Sequence, residues 1–128
     1  MNEVSDKAQI GLTPTADHHL NELINTGWFL DRQDVYRLAI AVALSRKLEP
    51  GPSEMAGLRT AYNFTGGIDR DGKLRQLISI LAPSEATRPA VFSERLAHAG
   101  LAFLFHALIE SNGTLSDALD PEQMTAWV

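Results

Sequence analysis

The sequence predicts a mainly helical fold, in which a short strand near the N-terminus precedes two helices and a helical C-terminal extension. Three observations predict this class. Apolar side chains alternate with others over residues 8–12, which is typical of a strand. Apolar residues recur at helical spacing over 35–43 and 74–81. The stretch 101–109 is apolar nearly all round, which indicates a helix enclosed by other elements or by another subunit.

The strand ends at Thr13 and Pro14, a pair that opens a helix. Thr13 can cap it, and proline suits the first helical position. The first helix then runs to Gly27, and residues 28–30 form an aromatic turn. An isolated strand of four to six residues is not stable in water. We therefore expect it to pair, most simply with the same strand of a second copy of the chain.

A homo-oligomer, a dimer or larger, is therefore the expected state. Its interface should use the strand, the aromatic turn and the apolar helix, because each presents apolar side chains that one module cannot bury alone. The residues expected there are Ile10, Leu12, Trp28, Phe29, Leu104 and Leu108.

A breaker cluster at residues 48–53, with Pro50 and Pro52, follows the second helix, which Asp31 should cap. It divides the chain into a module at 1–50 and a helical extension at 51–128, packed together as a single compact unit. We expect residues 53–62 to form one weak helix.

The extension contains two stronger helices, at residues 71–82 and about 90–111. Gly100 lies inside the longer one, where glycine costs about 1 kcal/mol relative to alanine. A glycine there indicates close approach of a neighbouring backbone, or a bend. Residues 112–113 should close the helix, and Met124 and Trp127 should dock on the core.

Composition favours a cytoplasmic protein without a membrane span. The 128 residues include 45% hydrophobic residues and no cysteine, which fits a globular domain in a reducing compartment. The first six residues are polar and acidic, unlike a signal peptide. The net charge is -5, whereas nucleic-acid binders usually carry a basic face.

The sequence predicts no catalytic residue, no metal site and no cofactor. No serine or threonine lies in a strand-turn-helix elbow motif. His18 and His19 are adjacent, and His98 and His106 are eight residues apart, spacings that suit no shared metal ion on a helix.

The order of strand, proline-started helix and second helix resembles the ribbon-helix-helix family of dimeric DNA-binding proteins. The resemblance is carried by residues 10–14, 20–27 and 31–40 and covers about the first third of the chain. It implies a dimer whose paired strands enter the DNA major groove, while the second helix holds a phosphate at its N-terminus.

By position, the resemblance implies that Gly11 and two other strand residues point toward DNA, and that Asp31 and its neighbours face phosphate. Two observations favour a protein partner instead. Gly11 has no side chain to read a groove, and Asp31 and Asp34 place negative charge at the phosphate position. The DNA-binding residues expected are Lys7, Gln9, Arg32, Gln33 and Arg37.

Three hypotheses for the function follow, of which we rank a nucleic-acid-associated protein first. Residues 11–14 and 40–44 are similar to parts of the small helical E subunit of bacterial DNA phosphorothioation systems, which implies a regulatory or defence-system component. The alternative is a protein-interaction subunit of a larger complex without direct DNA binding. An enzyme with a site between subunits ranks last.

Overall fold

The computed structural model describes residues 6–29 and 31–111 and confirms the mainly helical class. Short helical turns at Phe64–Ile68 and Pro83–Glu85 flank the third helix, and the turn His106–Glu110 prolongs the fourth. In chain order the regular elements are β1 (Gln9–Leu12), α1 (Pro14–Asn25), α2 (Arg32–Arg46), β2 (Arg59–Asn63), α3 (Lys73–Leu81) and α4 (Pro89–Phe105).

Both predicted helix caps are confirmed. The Thr13 hydroxyl accepts a hydrogen bond from the Ala16 N–H at 3.2 Å, and Pro14 is the first residue of α1. The Asp31 carboxylate accepts from the Gln33 N–H at 2.8 Å and opens α2. Side-chain acceptors of this kind satisfy N–H groups that the first helical turn leaves without a partner.

The predicted weak helix over residues 53–62 is wrong, because its second half forms β2. Strand β2 pairs antiparallel with β1 of the same chain. The register aligns Ile10 with Tyr62 and Gly11 with Thr60, so Ala61 has no counterpart and forms a bulge. Pairing between segments so far apart in sequence overrides weak local helical preference.

The expectation that β1 pairs most simply with β1 of a second copy is therefore corrected, because its partner is β2 of the same chain. One edge of β1 holds β2, and side chains cover the other edge. There the Gly11 N–H donates to the Glu94 carboxylate at 2.9 Å, and the Gly11 carbonyl accepts from the Tyr36 hydroxyl at 2.9 Å. The Thr13 N–H donates to His98 Nε2 at 3.1 Å. Because these backbone groups already have partners, this edge is closed to another strand.

Gly11 does not point outward as the family resemblance implied. It is buried, and a Cβ added to it would lie 1.8 Å from the Arg59 carbonyl oxygen. No side chain fits at that distance, so glycine is what allows β1 and β2 to approach each other.

Helices α2 and α4 form the centre of the core, with α1 and β1 packed against α4. The two central helices meet at Gly100, where an added Cβ would lie 1.9 Å from the Ala39 carbonyl oxygen. The predicted close approach of a neighbouring backbone at Gly100 is thus confirmed.

Of the residues expected at a subunit interface, four are buried within their own chain: Ile10, Leu12, Leu104 and Leu108. Their burial therefore needs no second copy. Trp28 is 49% exposed, and Phe29 is half-buried against the core. The predictions for Leu30, residues 112–113, Met124 and Trp127 lie outside the described residues.

Candidate functional site

The strand residues expected to contact DNA bind other parts of the protein. Lys7 forms an ion pair with Glu94 at 2.6 Å, although its side chain remains 40% exposed. The Gln9 amide donates to the Asn63 side chain at 3.2 Å. Both side chains would have to exchange these partners for DNA.

The cations expected at the start of α2 are likewise paired with acids. Arg32 pairs with Asp17 at 2.6 Å and also donates to Asn21. Arg37 pairs with Asp34 at 2.9 Å. Exposed pairs of this kind contribute little to stability, but they reduce the positive charge offered to a phosphate.

Gln33 lies beside the glycine pair in the turn 64–68. A Cβ added to Gly67 would lie 3.1 Å from the Gln33 side-chain nitrogen. Because each of the three expected cations is paired with an acid, the five expected DNA-binding residues do not present an unpaired basic surface.

A row of polar side chains, which we call the α4 seam, joins the N-terminal segment to α4. It consists of Asp6, Lys7, Glu94 and His98. The Asp6 carboxylate accepts from the N–H groups of Ala90 and Val91, at 2.9 and 3.0 Å, and so caps α4 from a distance in sequence. Glu94 is only 3% exposed, and its carboxylate accepts hydrogen bonds from both the Lys7 ammonium group and the Gly11 N–H.

The hydrogen bonds of His98 determine its tautomer. Its Nε2 faces the Thr13 N–H and must accept, whereas Nδ1 lies 2.7 Å from the Glu94 backbone carbonyl and must donate. This is a neutral imidazole with its proton on Nδ1. Burial lowers the pKa of His98 most strongly, and the Lys7 charge adds to this, against the opposing effect of Glu94.

Acid should therefore destabilise the fold through His98. An unfolded histidine has a pKa of about 6.5, and the folded pKa lies below it. The stabilisation is complete above pH 6.5 and is lost as the pH falls through the folded pKa, because the unfolded chain binds the proton first. We expect urea unfolding between pH 7.5 and 5 to show a smaller pH dependence in His98→Gln.

Burial also lowers the pKa of His19, which stacks on Phe105. His19→Gln should therefore remove a separate share of the same dependence, and the double variant should remove both. An unchanged pH dependence in His98→Gln would contradict the neutral, accepting role of its Nε2.

A surface cavity of about 560 Å³ with a mixed polar and apolar lining, the β2 cavity, lies beside β2. Strand β2 forms one wall, and the first turn of α1 and the start of α2 form the others. The Arg59 side chain makes no hydrogen bond or ion pair with the part of the chain that the structure describes. The lining residues are Leu12, Thr13, Pro14, Asp17, Arg32, Gly57, Arg59, Thr60, Ala61 and Tyr62.

An apolar surface groove, the α2/α3 groove, is the strongest candidate site. It has two adjoining parts, of about 510 and 410 Å³, that share Leu44 and Leu81. The first part lies between α2 and α3, and the second continues toward the start of α4. The apolar lining residues are Ala41, Ala43, Leu44, Leu48, Pro50, Ile68, Leu74, Leu77, Ile80, Leu81, Ala82, Phe92 and Leu96.

Helix α3 presents an unusual amount of apolar surface to solvent. Leu77 is 48% exposed, Ile80 72% and Leu81 59%, whereas Ile78 on the inner side is fully buried. Single exposed apolar residues are ordinary, but three within five positions form a patch of the kind found at interaction sites.

An ion pair with a buried carboxylate holds α3 in this position. Asp69 is only 1% exposed and accepts from the Leu74 and Arg75 N–H groups at 2.9 and 3.1 Å. It also pairs with the Arg75 side chain at 2.6 Å. Asp69 fixes the first turn, and at the other end the Ala82 N–H donates to the Ile78 carbonyl at 2.8 Å. The exposed apolar face therefore belongs to a helix that is hydrogen-bonded at both ends.

Cations predominate at the exposed rim of the α2/α3 groove. Lys47 and Lys73 line it without an ion pair to a described residue, against one exposed lining acid, Asp71, while Arg37 also lines it but is paired with Asp34. The other lining acid, Asp69, is the buried partner of Arg75. The rim is thus locally basic on a protein of net charge -5.

Within residues 6–29 and 31–111, no group of three or more histidine, aspartate or glutamate side chains is arranged to hold a metal ion. No helix among those residues is both long and apolar enough to cross a membrane. No protein-family model, curated protein or solved structure matches the chain.

Sequence reasoning identified α3 as amphipathic but did not identify it as a site. The sequence did contain a signal for an exposed apolar face. Ile80 lies beside the apolar stripe of α3 and makes the apolar face wider than contact with one neighbouring element can cover. Which part stays exposed depends on packing between distant elements, and the helical period alone does not determine it.

Proposed function

We propose that this protein is a protein-interaction subunit, and that its α2/α3 groove binds an amphipathic helix of a partner protein. The observation that carries the proposal is the exposed row Leu77, Ile80 and Leu81 beside a groove already formed between two helices. Amphipathic helices bind such grooves through apolar residues spaced at helical intervals.

The size and chemistry of the groove suit a helix. The exposed α2 residues Ala41 and Ser45 line it opposite α3 and are small, which lets a partner helix approach closely. Covering the exposed parts of three large apolar side chains contributes roughly 1–2 kcal/mol each. Cations at the rim favour a partner helix with acidic residues beside its apolar stripe.

The charge pattern favours a different protein over a second copy at this groove. Helix α3 carries Lys73 and Arg75 and no acid. Docking α3 of another copy here would bring cations together at a rim that is already basic, which opposes association.

The test uses three synthetic amphipathic peptides with the same apolar stripe and with acidic, neutral or basic flanking residues. Fluorescence anisotropy should show the acidic peptide binding about tenfold more tightly than the basic one. Leu77→Glu should abolish this binding, because it places a charge in the apolar groove and repels the acidic flanks.

Ser79→Glu is the matched control. Ser79 is exposed on the same helix but does not line the groove, so the same added charge should leave binding unchanged. Circular dichroism should show both variants folded. Equal peptide affinity for Leu77→Glu and the parent protein, or no preference for acidic flanks, would contradict the proposal.

Direct DNA binding through Lys7, Gln9, Arg32, Gln33 and Arg37 stays a prediction, as does a role in a defence system. Their ion pairs and hydrogen bonds, together with the closed outer edge of β1, support the protein-interaction alternative over the DNA-binding one.

A further inference from the structure

The sequence that follows Ser111 has the chemistry that the α2/α3 groove favours in a helix. Residues 112–128 contain no lysine or arginine and three acids: Asp117, Asp120 and Glu122. After these acids, apolar residues occur at the spacing i, i+3 and i+4, which places their side chains on one face of a helix. These apolar residues are Met124, Trp127 and Val128.

The pair Asp120 and Pro121 predicts where such a helix begins. Aspartate is a preferred N-cap residue and proline suits the first helical position, as Thr13 and Pro14 show at the start of α1. A helix over residues 121–128 has only about two turns, and so short a helix is not stable alone in water. The docking expected of its apolar side chains therefore needs an exposed apolar surface.

The α2/α3 groove is within reach of these residues. Leu96 lines the groove, and the helical path from Leu96 to Ser111 rises about 22 Å, at about 1.5 Å per residue. Residues 112–120 can span about 30 Å when extended. The chain can therefore return along α4 and bring residues 121–128 to the groove.

We propose that residues 121–128 occupy the α2/α3 groove of their own chain, with their apolar stripe against the exposed apolar side chains of α3. The acids of residues 112–128 then meet a rim at which Lys47 and Lys73 have no ion pair to a described residue. The inference rests on the proposed function, because it takes the groove as a helix-binding site. A partner helix must displace residues 121–128, so the chain itself regulates the groove.

Because the segment is tethered, a weak contact is sufficient. A short flexible linker gives the attached segment an effective concentration of about 1 mM. A dissociation constant of about 0.1 mM for the untethered segment therefore keeps the groove occupied about nine-tenths of the time. The apparent affinity of the groove for an added peptide is then reduced about tenfold.

The fluorescence of Trp127 tests the contact in the whole chain. The chain has two tryptophans, so in Trp28→Phe all tryptophan emission comes from Trp127. Packing in the groove should shift this emission to shorter wavelength and protect it from quenching by acrylamide. Adding Leu77→Glu should reverse both effects, whereas the matched control Ser79→Glu should leave them unchanged.

Peptide binding separates this proposal from the proposed function. Trp127→Lys should free the groove, so the acidic amphipathic peptide should bind about tenfold more tightly than to the parent protein. Ala126→Lys adds the same charge on the opposite face of the predicted helix and should leave the peptide affinity at the parent value.

Equal peptide affinity for the parent protein and Trp127→Lys, with Trp127 emission that ignores Leu77→Glu, would overturn this proposal and leave the helix-binding groove in place. Trp127 emission that responds to Leu77→Glu, with no peptide binding to any variant, would support the contact and contradict the partner helix. Protection of Trp127 that increases with protein concentration would place the segment in the groove of a second copy, and would overturn the contact within one chain.

Discussion

Replacing Gly100 by alanine should destabilise the protein by about 3 kcal/mol or more, at or above the top of the usual range of about 1–3 kcal/mol for overpacking in a core. The new Cβ would lie 1.9 Å from the Ala39 carbonyl oxygen, 2.5 Å from its carbonyl carbon and 2.8 Å from its Cα. All three are backbone atoms, so no side-chain rotation relieves the clash. Helices α2 and α4 would have to separate along the centre of the core.

Helix propensity acts in the opposite direction but is too small to compensate. Alanine is favoured over glycine inside a helix by about 1 kcal/mol, which is less than the expected cost of the clash. The net effect should therefore remain strongly destabilising, whereas propensity alone would predict a more stable variant.

Urea unfolding followed by circular dichroism measures this difference. Gly66→Ala is the matched control, because the nearest atom to its added Cβ is the Asn63 Cβ at 4.0 Å. Its free energy of unfolding should change by less than about 0.5 kcal/mol. A Gly100→Ala variant as stable as the parent would show that the two helices are not held in contact at Ala39.

The helices and their caps were predictable because their signals are local. Thr13, Pro14 and Asp31 act within one turn of their own position, and the apolar period of α3 is contained in nine residues. Gly100 was also informative, since a glycine inside a long helix has a cost that a close contact explains. These predictions needed no knowledge of distant segments.

Strand β2 was not predictable in the same way. Its residues are mostly exposed, so they show little apolar alternation, and β1, its partner in the sheet, lies about fifty residues earlier. Once β2 is in place, the sequence argument for pairing β1 with a second copy no longer applies. The expectation was wrong because the sequence showed β1 as the only strand, so no partner strand within the same chain was considered.

At the candidate site, too, local features were predictable and contacts between distant residues were not. Charged residues are visible in the sequence, but their partners are not, and Arg32 and Lys7 turned out to face Asp17 and Glu94. Glu94 itself had a signal that could have been used. It falls at helical spacing with the buried residues Ala90, Ala97 and Leu101, which places an acid on the inner face of α4.

Replacing Glu94 by alanine should destabilise the protein by about 2–4 kcal/mol. The Gly11 N–H would lose its acceptor in a buried position, which costs about 1–3 kcal/mol. Loss of the Lys7 ion pair should add less, because the lysine side chain is 40% exposed and water can replace the carboxylate. Lost packing of the buried methylene groups accounts for the rest.

Glu94→Gln should cost less than Glu94→Ala, because the amide oxygen can still accept from the Gly11 N–H while the charge is removed. Glu110→Ala is the control for an exposed glutamate in the turn that prolongs α4; its partner, His106, is also exposed, so its effect should stay below about 0.5 kcal/mol. Urea unfolding of the three variants should give the order Glu94→Ala, Glu94→Gln, Glu110→Ala, from most to least destabilised. Equal effects of alanine at positions 94 and 110 would mean that the α4 seam does not hold β1 against α4.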